Sequence, residues 1–253
     1  MSQTSYSLSQ GEAFPGMKVD SRFDTVESKL AEASAGTGIP FGYGVMSGNE
    51  DAVNQVRLPA YTKSVLSIDA DLIASNSTIV TVNGNATTAT VFATDHATTM
   101  AAIVVKVAAL AGVLSATLSA ARDITIIGEN GVAITASAVT TAGSTQGAWT
   151  QVQSDPGVFR GIALHRHMEK ALLTGVSQYV DKDSVDVLRK GEVWMPYVAA
   201  ATPTADDALY INLAIAAESG KATDVSSGNV ATGGVIREVN TTLLILKANI
   251  NLP

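Results

Sequence analysis

The chain of 253 residues contains no cysteine. Disulfide staples and thiolate metal sites are therefore excluded, and the fold must rest on packing, hydrogen bonding or assembly. Aromatic residues are also scarce, at 5%, and charged residues make up only 15%. So little charge leaves much surface free for protein partners. The net charge is -7 and the isoelectric point about 4.9. That balance opposes nucleic-acid binding, which needs a dense basic face.

Long hydrophobic runs are missing as well. The most apolar window, residues 100–121, is dominated by alanine, carries Lys106 and Gly112, and then turns to Ser115, Thr117 and Ser119. It does not read as a transmembrane helix, and no membrane contact is expected. The opening MSQTSYSLSQGEAF lacks the basic-then-apolar order of a secretion signal.

Motifs that carry catalysis are absent too. No phosphate-binding glycine loop, nucleophile elbow or HExxH pair occurs. His165 and His167 share a face if their segment is a strand, but no third ligand lies near them in sequence. Asp181, Asp183 and Asp186 fail as a calcium loop, because the turn position that requires glycine is Asp186. Asp69 and Asp71 read as solvated turn acids. The expectation is a non-enzyme with no cofactor and no metal.

What is present is short strand grammar. Residues 1–38 are polar and punctuated by glycine, with a weak amphipathic patch over Phe23–Leu30. They read as an extended arm whose scattered Tyr6, Phe14, Met17 and Phe23 would serve as anchors on a partner. Residues 39–65 and 154–253 show short apolar stretches broken by Gly, Pro and Asp, the pattern of a small antiparallel β-barrel or sandwich. Within them VDVLRKGEVWMPY, Val185–Tyr197, predicts a hairpin of Ser184–Arg189 and Glu192–Tyr197 turning at Lys190-Gly191. Arg189 and Trp194 are its candidate contact or core residues. Asp183, Asp186 and Glu192 cancel the basic charge there, so a base-stacking role for Trp194 is disfavoured.

Residues 66–153 differ in composition. Nearly half are Ala, Ser or Thr, and only seven are charged. Thr78–Val82, the turn signal Asn83-Gly84 and Ala86–Ala93 predict a hairpin. Asp95 can cap a helix over 96–111, with Met100, Ile103, Val104 and Val107 on one face. Strands follow at Leu114–Ser119, Asp123–Ile127 and Val132–Val139. This is an α+β module inserted into a mainly β protein.

The ordered set Ile39-Pro40-Phe41-Gly42, Leu58-Pro59, Phe159-Arg160-Gly161-Ile162-Ala163-Leu164 and Val187-Leu188-Arg189-Lys190-Gly191-Glu192-Val193-Trp194 resembles the structural cement (head decoration) proteins of tailed bacteriophages. The resemblance covers roughly residues 1–65 and 154–253. It implies a non-enzymatic virion protein made in the host bacterial cytoplasm. Such a protein sits on the capsid exterior and clamps adjacent major capsid proteins, with Phe41 joining the contact candidates. It also implies a homo-oligomer, a trimer rather than a dimer. The alternative is a tail, baseplate or glycan-binding component in which the 66–153 module touches the host surface.

Overall fold

The computed structural model describes residues 13–19, 24–33, 38–129, 131–141, 147–165, 178–213 and 216–252. Tyr6, Phe23 and His167 lie outside the described residues. About half of the described residues are strand (49%) and 7% are helical, so the protein is mainly β, with a closed five-strand β-barrel. Among the described residues no helix is long and apolar enough to cross a membrane.

In chain order the strands are β1 (Thr25–Ala31), β2 (Ile39–Pro40), β3 (Gly44–Ser47), β4 (Gln55–Arg57), β5 (Lys63–Ile68), β6 (Ser77–Val82), β7 (Asn85–Ala86) and β8 (Thr90–Val91). Helix α1 (His96–Ala108) follows. Then come β9 (Val113–Ala120), β10 (Asp123–Gly128), β11 (Ala136–Thr141), β12 (Trp149–Ser154), β13 (Phe159–Ala163), β14 (Gln178–Tyr179) and β15 (Ser184–Pro196). The chain ends with β16 (Ala208–Ile211), β17 (Ala222–Thr223), β18 (Val230–Asn240) and β19 (Ile245–Asn251). It divides into two compact units. One is Met1–Ala31, Gly38–Met46 and Phe159–Pro253; the other is Glu32–Thr37 and Ser47–Val158.

The first unit is organised by β15. Its first half pairs antiparallel with β1, from Leu30↔Ser184 to Thr25↔Lys190, and with β13 at Ile162↔Leu188 and Ala163↔Val187. Its second half pairs with β19, from Lys190↔Asn251 to Pro196↔Ile245. Val185, Val187 and Leu188 are all buried, as expected for a strand covered on both faces. The hairpin expected at Lys190-Gly191 does not form: Ser184–Pro196 is one strand of 13 residues. Gly191 adopts φ 130°, open to glycine and strained for other residues. It kinks the strand where its partners change instead of reversing it. Thr25–Ala31, within the stretch where the sequence suggested an irregular arm, forms the sheet strand β1. The core of this unit gathers Ile162, Leu188, Val193, Met195, Leu246 and Ile250, each fully buried.

The second unit holds two small sheets and α1. One sheet runs β12-β5-β10-β9, the other β11-β6-β7, with β8 also on β6. Strand β5 lies across the composition boundary at residue 66 and takes a central place in its sheet. Period-2 burial of Leu66 and Ile68 on β5 and of Ile124 and Ile126 on β10 turns one face inward. Met100, Ile103 and Val107 of α1 join the same apolar cluster. Burying three such side chains contributes about 1.5–3 kcal/mol each. Asp95 caps α1 by accepting from Thr98 N at 2.7 Å. Asn83 and Gly84 adopt φ 49° and 82°, the geometry a two-residue hairpin turn demands. The expected return strand Ala86–Ala93 is split into the short β7 and β8.

Candidate functional site

Two turns in the β15 unit build a concave apolar surface. Phe14-Pro15-Gly16-Met17 closes with Met17 N donating to Phe14 O at 3.1 Å. Proline at the second position and Gly16 at φ 80° in the third suit a type II turn. Pro40-Phe41-Gly42-Tyr43 is the second turn, with Gly42 at φ 79°. The two glycines meet: a Cβ on Gly42 would stand 2.6 Å from Gly16 N, and one on Gly16 would stand 2.9 Å from Gly42 N. No larger residue fits either position.

The segment around Gly16 is held by backbone bonds along β15. Trp194 O accepts from Gly16 N at 2.8 Å, Met17 O accepts from Trp194 N at 3.0 Å, and Glu192 O accepts from Val19 N at 3.0 Å. His165 N donates to Gly16 O at 3.0 Å. Phe14 and Met17 are thereby fixed on their own chain.

The two turns enclose the His165 ring. Phe14 and Phe41 meet it edge-on at centroid distances of 4.9 and 4.8 Å, and Phe41 meets Tyr179 edge-on at 5.0 Å. Such T-shaped contacts contribute about 0.5–1.5 kcal/mol each beyond area burial. Tyr179 is fully buried, and its hydroxyl donates to Leu164 O at 2.7 Å. Outside this aromatic row opens a groove of about 820 Å³, with Pro40, Pro196 and Tyr43 among its lining residues. Lys221 also lines it, its ammonium 2.9 Å from Glu218. Burial pushes the Tyr43 phenol above its ordinary value, with Lys221 opposing.

One rim of the groove is the β18–β19 tip. Asn240 Oδ1 accepts from the Thr242 and Leu243 amides at 3.1 and 3.0 Å, and Leu244 takes φ 52°. This strained turn holds Leu243 41% and Leu244 44% exposed, and Phe14 on the other side is 39% exposed. Three large apolar side chains in solvent around one groove are the mark of a contact surface.

Sequence reasoning named Phe14, Met17, Phe41 and Trp194 as contact candidates: Phe14 and Phe41 line the groove, with Phe41 buried, Met17 ends the Phe14 turn, and Trp194 meets that turn through its backbone N and O. Arg189 is elsewhere: Nη1 donates to Glu27 Oε1 at 2.6 Å across β15 and β1. That bond, aided by Lys29 and opposed by burial, holds the Glu27 carboxyl below its usual range. Sequence reasoning missed Tyr179, Leu243 and Leu244. The signal for the leucines was their adjacency just past Asn240-Thr241-Thr242, since a strand can turn only one of two neighbours inward.

Among the described residues no group of three or more acidic or histidine side chains is placed to hold a metal ion. No curated protein matches the chain. Among solved structures it is similar to a chain in the capsid of Myoviridae phage XM1, with 13% identity, 98% of each chain covered and a TM-score of 0.46. The phage family model described as structural cement protein (E217 gp24/Pam3 gp6) matches residues 106–249. That stretch is more than half of the sequence, and the chain belongs to the structural cement protein family.

Proposed function

We propose that this protein binds the outer surface of an assembled phage capsid and stabilises it, without chemistry, by clamping adjacent major capsid proteins. The observation that carries the reading is the groove of the β15 unit with Phe14, Leu243 and Leu244 exposed at its rim. Exposed apolar anchors around a preformed concavity supply the buried centre that a protein interface needs. Repeated copies then add avidity across the shell, so no single contact must be strong. The protein is made in the host cytoplasm and acts as a homo-oligomer on the virion exterior, a trimer on the family expectation.

The test is addition of purified protein to empty heads. Wild type is expected to occupy the heads and to raise the temperature or chaotrope concentration at which they break. Leu243→Ser/Leu244→Ser removes two rim anchors and should lower occupancy at equal protein concentration by about tenfold or more. Heads that bind the double variant as well as wild type would exclude this groove. Heads that wild type leaves unoccupied would exclude the capsid role.

A further inference from the structure

Strand β9 ends the sheet order β12-β5-β10-β9, and among the described residues no strand pairs with its outer side. It is eight residues long, VLSATLSA, with no charge and no proline. Natural sheets blunt such edges with lysine, proline, inward charges or a covering segment. The opposite edge, β12, is tied back to its own unit. Trp149 Nε1 donates to Thr140 Oγ1 at 2.9 Å, Gln151 Nε2 donates to Ser64 Oγ at 3.0 Å, and Gln153 donates to the Ile134 carbonyl. On β9, Leu114 and Leu118 remain 40% exposed instead.

The sequence of β9 is complementary to itself. Over its regularly paired stretch, Ser115–Leu118, Ala116 and Leu118 fall on one face and Ser115 and Thr117 on the other, with register breaks beyond each end. Antiparallel pairing of two copies about Thr117 sets Ala116 against Leu118. Pairing about Ala116 sets Ser115 against Thr117. Both registers keep the aliphatic face continuous with the aliphatic face and the hydroxyl face with the hydroxyl face. Neither brings like charges together, although the whole chain carries -7.

We infer that β9 joins β9 of a second copy across a two-fold axis at Ala116–Thr117, extending two four-strand sheets into one of eight. The bonds come from the free edge backbone, and the pairing covers Leu118. A two-fold contact of this kind gives a dimer of single chains, or links one oligomer to its neighbour. It goes beyond the capsid reading, because it needs no shell.

The experiment uses the purified full-length protein without capsids. Because the chain has no cysteine, one introduced thiol can form only an intermolecular disulfide. Directly opposed residues of an antiparallel pair have Cα atoms about 4.5–5.5 Å apart, inside the disulfide range of roughly 4.4–6.8 Å. Mild oxidation of Ala116→Cys or Thr117→Cys should give a disulfide-linked dimer, the better of the two marking the axis. Thr150→Cys on β12 should not. Thr117→Lys and Thr117→Glu should each halve the mass seen by light scattering, and an equimolar mixture should restore it. Unchanged Trp149 fluorescence would show that both variants stay folded. Absence of dimer from both β9 thiols, equal dimer from Thr150→Cys, or a mass that Thr117→Lys leaves unaltered would each overturn the contact.

Discussion

Ile162, Leu188, Leu246 and Ile250 fill the core of the unit built on β15, which also buries Asn212, Thr223 and Thr232, whereas the unit built around α1 buries more hydroxyls, Ser64, Thr78, Thr99 and Thr140 among them. The first unit joins segments far apart in sequence: β1 pairs with β15, and β3 with β13. The second relies more on neighbours, with β6–β7 and β9–β10 hairpins and a capped helix. Several of its hydroxyls are bonded inside: Thr78 and Thr140 bond each other at 2.9 Å, and Thr87 Oγ1 accepts from Val80 N at 3.1 Å. It also buries one ion pair. Arg57 is fully buried, its Nη1 and Nη2 donate to Asp155 at 3.0 and 2.5 Å, and its Nε donates to Asn49 at 3.0 Å. Asp155 further accepts from Ala60 N at 2.9 Å and Gly157 N at 2.7 Å. The α1 unit therefore adds directional bonds to an apolar cluster of its own.

The chain has two tryptophans, Trp149 in the α1 unit and Trp194 in the β15 unit. Single-tryptophan variants can follow each unit through a denaturant titration. The largest expected effect breaks the α1 unit: Asp155→Ala leaves the Arg57 charge buried and alone, costing roughly 3–5 kcal/mol. The Trp149 transition should move and the Trp194 transition should stay. Arg57→Met/Asp155→Leu should recover most of the loss, because paired charges contribute little beyond well-packed apolar replacements. In the β15 unit Leu188→Ala should cost about 2–5 kcal/mol, seen by Trp194 alone. Transitions that always move together would refute two separately closed cores.

Much of the α1 unit was legible in sequence, because its determinants act over a few residues. Asn83-Gly84 turns its own hairpin, and Asp95 reaches Thr98 within one helical turn. The continuity of β15 was not legible. Lys190-Gly191 supports a turn or a kink equally well, and β19, arriving more than fifty residues later, decides between them. The site divides along the same line. Phe14 and Phe41 could be picked out as scarce aromatics in glycine-punctuated segments. The groove could not, because it needs Gly16 against Gly42 and a tip that exposes Leu243 and Leu244 through the φ of Leu244.

A smaller effect sharpens the comparison at that groove. Gly42→Ala would force a Cβ against Gly16 and Pro15 while φ stays at 79°. The backbone cost alone is about 1–2 kcal/mol. The segment around Phe14 should loosen before β15 does. Hydrogen exchange should accelerate at the Gly16 and Val19 amides, which bond to β15 backbone oxygens, and remain slow at amides of α1. Uniform acceleration across both units would count against a local lock.

The smallest effect is the response to acid, where the units differ in cause but not in sign. Asp95 is held below the ordinary carboxylate range by the Thr98 amide and hydroxyl, at 2.7 and 3.1 Å. Glu27 is lowered chiefly by the Arg189 guanidinium. In both cases the unfolded chain takes up its proton at higher pH than the folded one. Each contribution is therefore complete above the unfolded carboxylate value and disappears as pH falls through the folded value. For the Glu27–Arg189 pair it amounts to no more than about 1 kcal/mol, and salt should weaken it. The α1 cap uses uncharged donors, so salt should affect it less. Glu27→Gln should flatten the acid limb of the Trp194 transition, and Asp95→Asn that of the Trp149 transition. An acid limb for Trp194 that keeps its slope in Glu27→Gln would place the titrating carboxylate elsewhere in the barrel.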